Sequence, residues 1–163
     1  MFPLEIETLA RLLVAEARDR SLRLVTAESC TGGLVAGAIC SISGASDVFE
    51  RGFVTYTNRA KSEMLGVPGD LIADHGAVSE PVARMMAEGA LAASHGHIAV
   101  SITGIAGPGG GTPLKPVGTV HFAVARANRS VAHRHERFDG PTREAVQLAA
   151  LVTALEMLRE AVA

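Results

Sequence analysis

Apolar positions in this chain change spacing several times, and the changes mark out its elements. From Leu4 to about Arg20, Leu9, Leu12, Leu13 and Ala17 recur at helical spacing between charged positions, which predicts an amphipathic helix. Leu22 to Ala27 reads as a strand. Glu28-Ser29-Cys30-Thr31-Gly32-Gly33 then breaks the pattern before Leu34 to about Ile42 resumes it as a helix of small, mostly apolar residues. Gly52 to Tyr56 predicts a short strand, and Asn58 a cap for a helix from Arg59 to Leu65 that Gly66 and Pro68 stop. After Pro68-Gly69 and a short segment around Leu71 to Asp74, Ser79 caps a second long helix, with Pro81 in its first turn and Gly96 beyond its end.

Ile98 to Thr103 has the continuous apolar character of a buried strand, and Gly104 to Gly118 is too rich in Gly and Pro for anything but a loop. Thr119 to Ala125 and Ser130 to Phe138 alternate as two strands joined at Ala127-Asn128-Arg129. Asp139-Gly140-Pro141-Thr142 opens a last helix whose Val146, Leu148, Leu151, Leu155 and Leu158 face the core. Helices and strands alternate first and a hairpin comes late, so the expectation is an α/β layered fold on a mixed sheet, with residues 1–163 forming one domain. In such sheets ligands bind beyond the carboxyl ends of the strands, which here carry the polar, glycine-rich turns.

Composition narrows the function classes. Hydrophobic residues at 48% and charged residues at 20% are ordinary for a globular protein. No apolar run reaches the ~18 residues of a membrane span, and MFPLEIETLARLL lacks a signal peptide's basic start, so the expected location is the cytoplasm with no membrane partner. Cys30 and Cys40 read as two positions on one helix, roughly 15 Å apart and beyond disulfide reach, hence free thiols. A net charge of -2, one Tyr, five Phe and no Trp offer little to nucleic acid. His133-Arg134-His135 shows no shared neighbour or carboxylate at fixed spacing, and no zinc pattern occurs, so solvated histidines and no metal are expected.

Three segments carry candidate chemistry. Ser29 at a strand-to-helix turn exposes a hydroxyl beside the free N–H groups of Cys30, Thr31, Gly32 and Gly33, which suits a nucleophile next to an oxyanion site. The plain alternative is a helix cap, and the segment is not a Gly-x-Ser-x-Gly elbow. Cys30 is a rival nucleophile with no sequence-local His to activate it, and otherwise a small buried side chain. Lys61 falls in the first turn of a helix, where the positive dipole end disfavours the ammonium and favours a neutral base. Tyr56, the only tyrosine, would relay a proton beside it, or else Lys61 is solvated and Tyr56 a core-edge residue. The third segment, Ser101 to Pro113, exposes backbone N–H groups around Thr103, Gly104 and Gly107 that can approach a phosphate or carboxylate, with Arg143 in the first turn of the last helix as a partner. A flexible surface loop and a solvated arginine are the alternatives there.

The stretches TAESCTGG, GFVTYTNRAKSEMLGV, HGAVSEPVA and SITGIAGPGGGTPLKPVGTV, in that order, resemble the CinA C-terminal family across most of the chain. The resemblance implies a three-layer α/β/α sandwich that hydrolyses nicotinamide mononucleotide to nicotinic acid mononucleotide and ammonia. It also implies no cofactor and a homo-oligomer. The family's Ser, Tyr and Lys set falls on Ser29, Tyr56 and Lys61. The additional N-terminal domain of full-length members is not expected, and the last third of the chain, with Arg143, matches more loosely. The competing expectations are a non-catalytic module for a nucleotide phosphate and a competence- or DNA-linked interaction protein.

Overall fold

A computed structural model describes residues 1–163. Five strands form one mixed sheet: β1 (Leu24–Glu28), β2 (Phe49–Val54), β3 (Ile98–Gly104), β4 (Thr119–Arg126) and β5 (Ala132–Arg137). They lie in the order β2-β1-β3-β4-β5, the first three parallel and the hairpin β4-β5 antiparallel. Six helices cover the sheet: α1 (Leu4–Asp19), α2 (Leu34–Cys40), α3 (Asn58–Leu65), α4 (Gly69–His75), α5 (Glu80–Ala92) and α6 (Arg143–Val162). The expected three-layer α/β/α sandwich is what forms.

Strand alternation decides what each layer receives. Leu24, Ile98, Val100, Ile102, Val120, Phe122 and Val124 pack in one core with α1, α2 and α6. The residues between them are smaller: Val25, Ala27, Ala99, Ala123 and Ala125 meet α3, α4 and α5. Small side chains on that face let α5 lie close, and Ser101 Oγ donates to the Ala83 carbonyl at 2.6 Å. The chain leaves β1 through α2 on one face and leaves β2 through α3, α4 and α5 on the other. In the strand order β1 connects to β2 on one side and β3 to β4 on the other, so the carboxyl ends of β1 and β3 are the topological switch point, where an open α/β sheet leaves a crevice.

Several boundaries differ from the sequence expectation for physical reasons. β1 starts at Leu24 and extends through Glu28, because Glu28 pairs with both Val54 and Ile102. β2 runs from Phe49 to Val54 instead of from Gly52 to Tyr56, so Gly52 sits within the strand, where a Cβ would lie 2.7 Å from Thr26 Oγ1. Thr57, not Asn58, caps α3, its Oγ1 accepting from the Ala60 N–H at 3.0 Å. Ser79 stands at the cap of α5 but donates its hydroxyl to the Gly76 carbonyl instead. The segment near Leu71 is a full helix, α4. In α1, Ile6, Ala10, Leu13, Val14 and Ala17 are buried, whereas Leu12 is exposed. Cys30 lies in the turn before α2 and not on the helix, while Cys40 ends it; both thiols are free. No helix is long and apolar enough to cross a membrane.

The histidines also depart from expectation, because the register of β4 and β5 sets His121 opposite His135. His121 stacks on His135 with ring centroids 4.3 Å apart, and its Nδ1 lies 3.0 Å from His133 Nε2. His133 Nδ1 is 3.3 Å from Glu80 Oε1. A shared neighbour and a carboxylate therefore exist, supplied by β4 and α5. No group of three or more His, Cys, Asp or Glu side chains is arranged to hold a metal ion.

Candidate active site

The turn carrying Ser29 is fixed from both sides of β1. Ser29 N–H donates to the Ile102 carbonyl at 2.9 Å, and Thr55 N–H donates to the Glu28 carbonyl at 2.8 Å, so the end of β1 is held between strand β3 and the residue that follows β2. Gly32 (φ 57°) and Gly33 (φ 102°) then reverse the chain into α2 through backbone conformations that side chains disfavour.

The donors of this turn are not those expected from a bare helix start. Gly32 N–H donates to the Ser29 carbonyl, Leu34 N–H to the Thr31 carbonyl, and the Val35 and Ala36 amides to the Glu28 carboxylate. The amides of Cys30, Thr31 and Gly33 donate to no other residue, and Cys30, next to Ser29, is the one of the three that lines the cavity and can present its amide to an incoming oxyanion.

Lys61 enters this turn from α3. It is 1% exposed, and its Nζ donates to Ser29 Oγ at 2.9 Å, to the Thr55 carbonyl at 2.9 Å and to the Tyr56 carbonyl at 3.2 Å. No carboxylate pairs with it. Burial pushes its pKa below the ordinary lysine value, because desolvation disfavours the ammonium. A neutral amine in this place donates to the two carbonyls and turns its lone pair to the Ser29 hydroxyl.

Tyr56 reaches the pair by its main chain, since Ser29 Oγ lies 3.5 Å from the Tyr56 carbonyl. Its phenol points elsewhere: it accepts from Arg143 Nη2 at 2.7 Å, while Arg143 Nη1 donates to the Gly107 carbonyl at 2.6 Å. Thus Arg143 joins the loop after β2 to the glycine loop after β3, and it has no acidic partner. Cys30 is buried and its thiol is pushed up to about 12, chiefly by desolvation, which leaves it protonated and a poor nucleophile.

Ser29, Cys30, Tyr56, Lys61, Thr103, Gly104, Gly107 and Arg143 all line one cavity of about 250 Å3. Thr103 contributes a surface there, its hydroxyl being donated to the Ala77 carbonyl. Thr31, Gly32 and Gly33 are not among the residues lining the cavity: Thr31 is buried with its hydroxyl donated to Glu28 Oε1 at 2.7 Å, and Gly32 is exposed at the turn. Asn58, Ala77 and Val78 also line the cavity and carry no sequence signal for it. Gln147 was equally silent in sequence, yet its Nε2 donates to the Cys30 carbonyl at 3.0 Å. No carboxylate lines the cavity, and with Lys61 neutral Arg143 is the charged side chain lining it, which suits an anionic ligand at that end. A larger open depression of about 640 Å3 lies between α1 and the end of α6, where Glu16 pairs with Arg159 and Arg134 with Glu160. Most of its charges pair with one another, Arg134 also with Glu156, and Arg20 alone of its charged side chains makes no ion pair.

Comparison with known proteins places this arrangement in a family. The chain is 51% identical over 154 residues to the nicotinamide-nucleotide amidohydrolase PncC of Escherichia coli, covering 94% of this chain and 93% of that protein. It is 46% identical over 159 residues to a CinA-like protein of Syntrophus aciditrophicus, of which it spans 38%. It is 58% identical over 123 residues to a competence-damage inducible protein of Symbiobacterium thermophilum, of which it spans 29%. The chain therefore covers about a third of the length of these longer relatives. Among solved structures, the competence/damage inducible protein CihA of Agrobacterium tumefaciens superposes with a TM-score of 0.96 at 50% identity, covering 98% of this chain and 97% of that one. A CinA superfamily protein from Klebsiella pneumoniae superposes at 0.91 with 36% identity, over 96% of this chain and 97% of its own. The sequence profile of the CinA C-terminal domain matches residues 6–162, and the chain belongs to the CinA C-terminal domain family.

Proposed function

We propose that this chain hydrolyses the carboxamide of nicotinamide mononucleotide to nicotinic acid mononucleotide and ammonia, with Ser29 as nucleophile and Lys61 as its base. The observation that carries the reading is a fully buried lysine, without a carboxylate partner, whose Nζ lies 2.9 Å from a serine hydroxyl at a strand-to-helix turn. The bonds to the Thr55 and Tyr56 carbonyls would serve a structural lysine, whereas the contact with the Ser29 hydroxyl is the one a base requires. The name of the Escherichia coli relative supplies the substrate.

In this mechanism neutral Lys61 takes the Ser29 proton as Oγ attacks the carboxamide carbon, and the free amide of Cys30 holds the oxyanion. Lys61 then returns the proton to the amide nitrogen, the C–N bond breaks and ammonia leaves. Water attacks the acyl-enzyme, Lys61 accepts its proton, and Ser29 is regenerated when that proton passes back to Oγ. The pyridinium charge of the substrate withdraws electrons from the carboxamide and helps both attacks.

The cavity is somewhat smaller than the roughly 300–1,000 Å3 of typical small-ligand sites, so a mononucleotide reaches its rim. There Arg143 and the glycine loop are suited to the 5′-phosphate. Tyr56 holds Arg143 in place, and with its phenol committed there Lys61 is the better placed proton donor.

The test is ammonia release from nicotinamide mononucleotide, nicotinamide and unrelated amides, with wild type and Ser29→Ala side by side. Ser29→Ala is expected to lose about 10³-fold or more in kcat. Wild-type release by Ser29→Ala would overturn the mechanism, and no release by wild type would overturn the substrate. The homo-oligomer expected from the family resemblance belongs to the same proposal and is measured by light scattering.

A further inference from the structure

Directly before Ser29 stands a side chain that touches neither cavity nor solvent. Glu28 is 0% exposed, yet it forms no ion pair with any lysine or arginine. Its carboxylate is held by neutral donors: Oε1 accepts from Thr31 Oγ1 at 2.7 Å and from Val35 N–H at 2.9 Å, and Oε2 accepts from Ala36 N–H at 3.0 Å. Burying a carboxylate is costly unless its oxygens are satisfied, so an apolar residue would serve a plain strand end better.

The three bonds close a bracket across the turn. Glu28 is the last residue of β1, its main chain is clamped between β2 and β3, and its side chain grips the first turns of α2 seven and eight positions on. Ser29 to Gly33 lie inside the bracket. The grip has two effects on chemistry. It fixes the course of the turn, on which the contact between Ser29 Oγ and Lys61 Nζ depends. It also occupies the Val35 and Ala36 amides and turns the Thr31 hydroxyl away from the cavity, leaving the Cys30 and Thr31 amides as the free donors beside Ser29.

We propose that Glu28 is a positioning residue whose buried carboxylate, through Thr31 and the start of α2, sets the nucleophile turn in its reactive geometry. This rests on the reading of Ser29 as the nucleophile. Glu28→Gln keeps the size but places an amide N–H2 against a backbone N–H, so the bracket loosens while the cavity wall stays in place. A misplacement of the nucleophile of about 1 Å costs on the order of 100-fold.

The experiment follows kcat and KM for nicotinamide mononucleotide together with the rate at which a fluorophosphonate probe labels Ser29, located by mass spectrometry. Thermal unfolding confirms folding. For Glu28→Gln the expected result is a fall in kcat of about 10- to 100-fold, a parallel slowing of labelling and a KM within about threefold of wild type. Thr31→Val, which removes one donor, is expected to lose less in the same two readouts, and Thr31→Ser, which keeps the hydroxyl, to recover most of that loss. If Glu28→Gln does not fold, the Thr31 pair decides the matter.

Folded Glu28→Gln with wild-type kcat and labelling, or a loss confined to KM, would overturn the proposal. So would Thr31→Ser falling as far as Thr31→Val. Failure of the underlying reading looks different: wild type itself is then unlabelled at Ser29, or Ser29→Ala retains activity.

Discussion

Lys61 is the residue on which the chemistry turns, because a lysine is a base only after losing its proton. Burial lowers its pKa from the ordinary 10.5, and the active form is the deprotonated one. Activity is therefore expected to rise with pH and to level off below that value, as read from the pH profile of kcat/KM. Lys61→Arg stays charged and is expected to be inactive across the profile; a substantial rate from it would exclude Lys61 as the base. Tyr56 is tested by Tyr56→Phe, which removes the phenol that receives Arg143 and leaves the main-chain carbonyl beside Lys61 untouched. The expected outcome is KM raised about 3- to 10-fold with labelling of Ser29 intact, the size of one lost hydrogen bond. A collapse of kcat at unchanged KM would instead give the phenol a part in proton transfer. The sequence pointed to Ser29 and Lys61, since a turn and a helix start are local patterns. It could not distinguish the two ends of Tyr56, because the partner of the phenol lies 87 positions away.

At the scale of elements, α6 acts on the site through one face. Arg143 and Gln147, one turn apart, hold the Gly107 carbonyl, the Tyr56 phenol and the Cys30 carbonyl, so a single helix start ties together the three loops around the cavity. Arg143→Lys replaces a planar fork by a single ammonium that cannot span two acceptors. It is expected to raise KM for nicotinamide mononucleotide by about tenfold and to leave the riboside, which lacks the phosphate, little changed. Equal losses for both would remove the phosphate from Arg143. The turn into α2 makes a separate demand. A Cβ at Gly33 would meet only Val54 Cγ2 at an ordinary 3.5 Å, so the cost of Gly33→Ala lies in the backbone angle of 102°. Chemical denaturation is expected to show a loss of about 1–2 kcal/mol. The loop and helix character of these segments was readable from Gly, Pro and spacing. Their boundaries were not, because β2 takes its limits from register with β1, and α3 from the Thr57 side chain.

At the scale of the whole molecule, two cores of unequal side-chain size flank the sheet, and the hairpin β4-β5 carries a histidine cluster on the α5 side. Burial, helped by His135, His133 and Lys115, lowers the pKa of His121 from 6.5 to about 4, with Glu80 acting in the opposite sense. The folded protein thus binds fewer protons than the unfolded chain between these values, and stability falls as pH drops from about 6.5 toward 4. His133 shifts in the same direction, also by burial. Melting temperatures measured across that range are expected to decline on acidification, and His121→Gln to flatten the decline. An unchanged slope in His121→Gln would remove the cluster as its source.

The chain by itself determined what near neighbours settle: the α/β alternation, the glycine-rich turns, a serine beside a helix start and a lysine near the start of the helix that follows a tyrosine. Each depends on residues a few positions apart, whose conformations sterics and hydrogen bonding decide locally. Tertiary structure alone decided that Lys61 is buried against Ser29, that the Tyr56 phenol belongs to Arg143, that Gln147 holds the Cys30 carbonyl from 117 positions away, and that Glu28 lies sealed behind the nucleophile. Burial and long-range hydrogen bonds depend on which surfaces meet when the sheet closes between its helix layers, and no local spacing encodes that meeting.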